Sequence, residues 1–96
     1  MEITIKNYKD KQFEIENNAK IYNVKARHVD RMDGINRPIM DDWVAIEGKP
    51  TLEEIKFEAG LYQRLQEKGL KPSDVRIKII KAIDINMDEL VTKEWS

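Results

Sequence analysis

A helical hairpin is predicted by residues 51–83, TLEEIKFEAGLYQRLQEKGLKPSDVRIKIIKAI. Thr51 can cap the first arm through its side-chain oxygen, and Glu54 can reach back to the Thr51 backbone N–H, as in a capping box. Apolar residues follow at helical spacing and would share one face: Leu52, Ile55, Phe57, Ala59, Leu61, Tyr62 and Leu65. The first arm is therefore predicted as an amphipathic helix.

Two glycines interrupt this arm. Gly60 lies in its interior, where glycine costs about 1 kcal/mol relative to alanine, so it indicates either close packing of another element or a kink. Gly69 can adopt the left-handed conformation that ends a helix. Leu70 and Leu65 would then make the apolar contact of a Schellman motif.

The second arm, residues 75–83, fits two kinds of secondary structure. Pro72 and Ser73 are typical of a first helical turn and an N-cap. Residues 75–79 also alternate with period two and are rich in β-branched side chains, which favours a strand. We predict a helix, because the start signal is helical and the run continues to Ala82.

Alternation of apolar and polar residues predicts strands at the N-terminus. Ile3 and Ile5, and then Phe13 and Ile15, alternate with polar neighbours around a polar turn. We predict an antiparallel hairpin with one buried face, followed by a third strand over residues 20–25.

Further short helices are predicted at residues 26–34, 39–47 and 87–94. The second of these begins after Pro38 and places Trp43 in its apolar face, as either a core or a contact residue. The predicted fold class is α+β, with an N-terminal antiparallel β-hairpin or three-stranded meander packed on a small bundle of about four helices.

The composition predicts a single cytoplasmic domain, residues 1–96. Without cysteine there is no disulfide framework and no thiolate metal site. No signal-peptide pattern and no apolar run near the roughly 18 residues of a membrane span occurs, so no membrane is expected. If the chain is phage-encoded, its compartment is the cytoplasm of the bacterial host.

The net charge of −1 is unevenly distributed. Residues 1–31 carry net +2, residues 32–60 carry net −4, and residues 61–96 carry net +1. Nucleic-acid binding usually needs a concentrated basic face, and no block of the sequence is dense enough to indicate one. Nucleic acid is therefore not an expected partner.

No catalytic constellation is found in the sequence. His28 is the only histidine, and the only serines are Ser73, which is expected to cap a helix, and Ser96. Asp41 and Asp42 are adjacent and would diverge by about 100° on a helix, so they cannot face each other as an acid pair. We predict a protein that is not an enzyme and that has no catalytic residue, no cofactor and no metal.

Residues 77–90 resemble the closing helices of Cro/C1-type helix-turn-helix repressors. The resemblance implies a DNA-binding regulator. In that family the recognition helix lies upstream, and no matching pattern occurs between Asp30 and Ser73.

A longer part of the chain resembles the small tail assembly chaperones of long-tailed bacteriophages. The shared features are a hairpin of the type Phe13-Glu14-Ile15, a helix that starts at residues 25–29, Lys-Ala-Arg-His-Val, and C-terminal helices within residues 67–90. The chain departs from the family in residues 33–50, which carry a predicted helix of their own. The resemblance implies a non-catalytic adaptor that self-associates, coats the tape-measure protein and is displaced when tail tube subunits polymerise.

We therefore predict a protein-binding adaptor whose partner is another protein, such as a tape-measure or host protein, and which forms a homo-oligomer. The candidate contact residues are Trp95, Tyr8, Asp41, Asp42 and Glu47. Trp95 would lie in a symmetric interface, and aromatic residues often carry binding energy.

The alternative is a small phage-encoded inhibitor of a host protein that acts through an acidic surface, with a helix-turn-helix regulator as a third possibility. The inhibitor would mimic a phosphate backbone with carboxylates from the acidic third of the chain: Asp33, Asp41, Asp42, Glu47, Glu53 and Glu54.

Overall fold

The computed structural model describes residues 3–8, 11–16, 19–29, 36–84 and 87–92. A hairpin of two antiparallel strands comes first: β1 (Ile3–Tyr8) and β2 (Lys11–Glu16). A four-stranded antiparallel sheet in the order β4-β3-β5-β6 consists of β3 (Lys20–Val29), β4 (Asn36–Ile46), β5 (Val75–Asp84) and β6 (Met87–Leu90). Two helices connect β4 to β5: α1 (Leu52–Glu58) and α2 (Leu61–Lys68).

Strand β3 is the centre of the molecule, because both β4 and β5 pair with it and both faces of the sheet are covered along it. On one face, Val24 is fully buried beneath the two helices, in a core that includes Ile55, Leu61 and Ile79. We call this the helix-side face. On the opposite face Ile21 is buried in a second cluster that includes Ile15 of the hairpin. We call this the hairpin-side face.

The chain is an α+β protein, but the predicted bundle of about four helices is wrong. The described residues contain two short helices of 7 and 8 residues and six strands. The hairpin of residues 3–16 is present, whereas the three-stranded meander is not, because β3 pairs with β4 and β5 rather than with β2.

The helix predicted over residues 26–34 is wrong where the structure describes it, because β3 continues to Val29 and His28 lies half-buried on this strand. Residues 30–34 lie outside the described part of the chain. The helix predicted over residues 39–47 is β4. Its apolar spacing arises from a β-bulge: Ala26 pairs with Met40 and Arg27 with Pro38, which leaves Ile39 as the extra residue. Two consecutive apolar residues thus reach one core and imitate the spacing of a helix.

The second arm of the predicted helical hairpin is also wrong. Pro72 opens a single 3-10 turn that ends at Asp74, and the chain then enters β5. The Asp74 carboxylate accepts a hydrogen bond from the Lys71 backbone N–H at 2.9 Å, so Ser73 is not the cap. The alternation of β-branched residues in 75–79 was the valid signal, because these residues pair with β3.

The last predicted helix is wrong where the structure describes it, since Met87–Leu90 forms β6. Residues 93 and 94 lie outside the described part of the chain. The segment that resembles the closing helices of helix-turn-helix repressors is therefore extended in β5 and β6.

The end signals of the first arm are confirmed. The Thr51 side chain accepts a hydrogen bond from the Glu54 backbone N–H at 3.2 Å. The Glu54 carboxylate accepts from the Thr51 hydroxyl at 3.3 Å, rather than from the backbone as predicted. At the other end Gly69 is left-handed, and the Leu70 N–H donates to the Leu65 carbonyl at 2.9 Å, which is the Schellman bond.

Gly60 divides this arm into α1 and α2. Its φ of +80° is a left-handed conformation that interrupts the helix. A Cβ placed on Gly60 would meet no atom within 4 Å, so the close-packing alternative is wrong and the chain bends here.

The register of the hairpin corrects the prediction of one buried apolar face. The apolar residues of both strands are odd-numbered, but each pair in the hairpin joins an odd-numbered residue to an even-numbered one. Ile5 therefore lies opposite Glu14, and Phe13 lies opposite Lys6. Paired residues share a face of the sheet. Ile15 is therefore buried against the main sheet, whereas Ile5 is 60% exposed on the outer face of the hairpin.

Candidate functional site

A cleft of about 720 Å³ opens on the helix-side face, between the end of the sheet and the loop that leads into α1. The cleft has charged, aromatic and apolar lining: Lys20, Tyr22, Gly48, Lys49, Pro50, Ile55, Lys81, Glu89, Leu90 and Val91. We call it the lysine cleft. Neither of the two described helices is long and apolar enough to cross a membrane.

The pairing of three strands places the polar groups of the lysine cleft side by side. Tyr22 of β3 pairs with Lys81 of β5, and Lys81 pairs with Glu89 of β6. Paired residues point to the same face, so the phenol, the ammonium and the carboxylate form one row across the sheet. Lys20 lies two positions before Tyr22 and therefore projects from the same face.

The loop after β4 and the first turns of α1 complete the cleft. Gly48 has a φ of +75°, which favours glycine and turns the chain back toward the sheet. Lys49 follows and adds a third ammonium group. Ile55 of α1 is 1% exposed and closes the floor with an apolar side chain.

Positive charge dominates the lysine cleft. Three lysines line it against a single described carboxylate, that of Glu89. Among the residues that the structure describes, none of Lys20, Lys49 and Lys81 forms an ion pair within 4.0 Å. An anion that enters the cleft would meet three ammonium groups, of which only that of Lys81 has a described carboxylate of the lining, Glu89, opposite it.

Tyr22 supplies a hydrogen-bond donor at the base of the cleft. Burial, followed by the negative charge of Glu89, raises the pKa of the Tyr22 phenol. The hydroxyl therefore stays protonated at neutral pH, and it can donate to an acceptor such as a carboxylate oxygen.

The described lining holds no histidine, serine or threonine that could act as a nucleophile or a general base. Nor do the described residues contain a group of three or more histidine or carboxylate side chains that could hold a metal ion. Cations around an apolar floor are suited to bind a ligand that has negative charges next to apolar groups.

Asp41 and Asp42, both predicted contact residues, lie on opposite faces of the sheet. On the hairpin-side face, Asp41 accepts a hydrogen bond at 2.7 Å from the side-chain amide of Asn23, which is 1% exposed. On the helix-side face, Asp42 forms an ion pair at 2.8 Å with Arg64 of α2. Both carboxylates are therefore engaged within the fold, and the pair does not form one surface.

The other predicted contact residues are not brought together with them. Glu47 is exposed directly after β4 and takes part in an interaction of its own. Tyr8 ends β1 opposite Lys11, and its side chain lies outside the described part, as does the whole of Trp95. Of the other carboxylates of the predicted acidic surface, Glu53 is bonded to Tyr62 and Lys56, and Glu54 accepts a hydrogen bond from Thr51. Asp33 lies outside the described part of the chain.

Trp43 is half-buried and packs against the smaller core cluster, which agrees with the first of its two predicted roles. Its ring lies 5.7 Å from the ring of Phe13, centroid to centroid, in the cluster between the hairpin and the sheet. The Lys11 ammonium lies 5.3 Å from the centroid of the same ring.

The lysine cleft is not apparent in the sequence because its lysines come from three distant segments. In the predicted second helix of the hairpin, Lys81 would not lie beside Tyr22 as it does in the sheet. The signal that could have found it was the alternation of residues 75–79, which puts Lys81 on the same side of a strand as Ile79. Comparison of the chain with protein-family models, curated proteins and solved structures finds no match.

Proposed function

We propose that this protein is a non-catalytic adaptor that binds an acidic, partly apolar segment of a partner protein in the lysine cleft. The observation that carries the proposal is the convergence of Lys20, Lys49 and Lys81 around an apolar floor, with no ion pair to any of them among the described residues. Cation-lined sites attract acidic partners and reject basic ones.

The cleft is suited to a peptide segment for two reasons. Its volume of about 720 Å³ exceeds what a single small anion would fill. The lining also combines ammonium groups with exposed Leu90 and half-buried Val91, so carboxylates and apolar side chains of one segment would both find partners.

A tail assembly chaperone of a long-tailed phage is the narrower form of this proposal, with the tape-measure protein as the partner. The hairpin with Phe13 and Ile15 supports it, since that element is present. The C-terminal helices that the resemblance implies do not support it, because residues 75–84 and 87–90 are strands.

The test uses a fluorescein-labelled peptide of glutamate and leucine, with a lysine-and-leucine peptide of the same length as the reversed-charge probe. Fluorescence anisotropy should show binding of the acidic peptide alone. The variant Lys81→Glu should weaken this binding by about tenfold, which corresponds to about 1.4 kcal/mol.

The matched control is Lys71→Glu, which reverses an exposed lysine outside the cleft and should leave binding unchanged. Circular dichroism of both variants verifies that they fold. The proposal is wrong if the acidic peptide does not bind, or if both charge reversals weaken binding equally.

A further inference from the structure

Helix α1 carries charges that are the reverse of those in the lysine cleft. The segment Leu52–Glu58 contains three glutamates and one lysine, which gives it a net charge of −2. The described lining of the cleft contains three lysines and one glutamate, which gives it a net charge of +2. One chain therefore presents both a cationic cleft and an acidic helix of equal and opposite charge.

An exposed aromatic ring lies at the centre of the outer face of this helix. The Phe57 side chain is 71% exposed, whereas Ile55 of the same helix is 1% exposed in the floor of the lysine cleft. Two residues along a helix are rotated by about 200°, so Phe57 points away from the cleft of its own chain. Only a second molecule can cover this ring from outside.

Two carboxylates beside Phe57 are available to such a molecule. Glu58 is exposed and forms neither an ion pair nor a hydrogen bond of its side chain among the described residues. The exposed Glu54 accepts a hydrogen bond from the Thr51 hydroxyl, a neutral group that leaves the negative charge uncompensated. Glu53 pairs with Lys56, so its charge is compensated within the helix.

The spacing of these two carboxylates matches that of two lysines in the cleft. Glu54 and Glu58 are four residues apart on the helix, so their Cβ atoms lie about 5–6 Å from each other. Lys81 lies opposite Tyr22, two positions from Lys20 on β3, which makes the two lysines diagonal neighbours about 7–8 Å apart. The flexible lysine side chains can adjust to the difference, so each ammonium group can meet one carboxylate.

We propose, on the basis of the adaptor function proposed above, that α1 of a second copy of this chain occupies the lysine cleft when the partner protein is absent. Glu54 and Glu58 of one copy contact lysines of the other, and the Phe57 ring lies on the apolar floor at Ile55 and Val91. Self-association and partner binding then exclude each other, which regulates access to the cleft.

Two copies can make this contact twice. The lysine cleft and α1 both lie on the helix-side face, so a two-fold axis can place each α1 in the cleft of the opposite copy. Aromatic side chains bury about 150–250 Å² each, so the two Phe57 rings contribute most of the apolar contact. This interface differs from the one predicted around Trp95, which lies outside the described part of the chain.

The experiment measures molecular mass by light scattering over a concentration series in two variants of opposite charge. Lys20→Glu/Lys49→Glu reverses two exposed lysines of the cleft, and Glu54→Lys/Glu58→Lys reverses the helix. The wild type should form a dimer. Each variant alone brings like charges together, which should raise the Kd of the dimer by about 100-fold.

An equal mixture of the two variants should form a dimer again. At one contact the acidic helix of the first variant meets the lysine cleft of the second. At the other contact the lysine-bearing helix of the second variant meets the acidic cleft of the first, so both contacts join opposite charges. A variant that had only lost its fold would not be rescued in this way, and circular dichroism verifies that each variant folds.

Three further measurements serve as controls. Glu14→Lys on β2 and Lys71→Glu before β5 reverse exposed charges outside the interface and should leave the dimer unchanged. Phe57→Ala should raise the Kd of the dimer by about tenfold, because it removes the central apolar contact. The Kd of the wild type should also rise with salt, since the screening length falls from about 10 Å at 0.1 M to about 3 Å at 1 M.

The proposal is overturned by a wild type that stays monomeric, by a mixture that stays monomeric, or by a mass that grows beyond two copies. The glutamate-and-leucine peptide separates it from the adaptor function, because the peptide should convert the dimer to monomers. Peptide binding without any dimer would leave the adaptor function standing and reject the second-copy contact. Peptide binding to an intact dimer would also reject it. A rescued dimer that binds no peptide would support the contact and reject the adaptor function.

Discussion

Asp41 and Asp42 differ in what each carboxylate does for its neighbours, although the two residues are adjacent. Asp41 satisfies a donor of Asn23, a side chain that is 1% exposed and whose amide also donates to the Asp42 carbonyl at 3.2 Å. Asp42 pairs with Arg64, and both of those side chains are more than a third exposed. A buried donor that loses its partner costs more than a solvated ion pair does.

We therefore expect Asp41→Ala to lower the free energy of unfolding by about 1–3 kcal/mol, because it removes one of the two acceptors of a buried amide. Asp42→Ala should cost about 0–1 kcal/mol, as is usual for a surface ion pair. Urea denaturation followed by circular dichroism measures both values. An equal effect of the two substitutions would show that the Asn23 amide does not depend on Asp41.

At the scale of single elements, the sequence predicts those features that depend on residues close together in the chain, such as the ends of a helix. Thr51 and Gly69 begin and end the helical arm as predicted, since each acts through its own backbone and its near neighbours. The strand β5 was missed although its alternation was visible. Pro72 fits a 3-10 turn as well as a helix, and pairing with β3, which decides the outcome, is not local.

The two helices are joined by a hydrogen bond between their side chains as well as by the bend at Gly60. The Tyr62 hydroxyl of α2 donates to the Glu53 carboxylate of α1. This bond, followed by the charge of Lys56 and a hydrogen bond from it, lowers the pKa of Glu53 below 4.5. The same bond raises the pKa of Tyr62 to about 12.

We expect Tyr62→Phe to lower the free energy of unfolding near neutral pH. This loss should become smaller in acid and in strong alkali. The lowered pKa of Glu53 means that its contribution is present above about pH 4.5 and is lost as pH falls through the folded-state pKa. The raised pKa of Tyr62 means that its contribution is present below pH 10 and is lost as pH rises through about 12.

Melting temperatures of the wild type and Tyr62→Phe, measured from acid to alkaline pH, test this expectation. The difference in melting temperature between the wild type and the variant should be largest between about pH 4.5 and pH 10. It should shrink in acid, where Glu53 is protonated, and in strong alkali, where Tyr62 ionises. Glu53→Gln serves as the control because it removes the titrating carboxylate. A difference that persists undiminished in acid would mean that Tyr62 acts through packing instead.

At the scale of the whole molecule, the hairpin is held to the sheet by one small apolar cluster. Its buried members are Ile15, Ile21 and Ala82, and Phe13 and Trp43 pack beside them. A two-stranded hairpin is marginal in water, so this cluster decides whether β1 and β2 stay ordered.

We expect Phe13→Ala to increase hydrogen exchange at the backbone amides of β1 and β2 toward the rates of an unfolded chain, because it removes the ring that packs on Trp43. Amides of β3 and β5 should keep their protection. Phe57→Ala is the matched control, since that ring is 71% exposed on α1. Equal loss of protection in the hairpin and the sheet would show that they unfold as one unit.

The lysine cleft is only partly readable from the sequence, since it depends on which strands are neighbours. Lys81 and Tyr22 meet in the lysine cleft only through the pairing of β3 with β5. The sequence indicated residue types and periodicity, whereas the sheet order places these residues together.

The same pairing has a consequence for the time course of folding. At Tyr22 and Lys81, β3 and β5 are separated by more than half of the length of the chain, so their contact closes a long loop. Strands paired over such distances join slowly, on the order of milliseconds to seconds. The lysine cleft needs Lys81 of β5 in place, so a newly made chain that has formed only β3, β4 and the helices cannot yet bind through it.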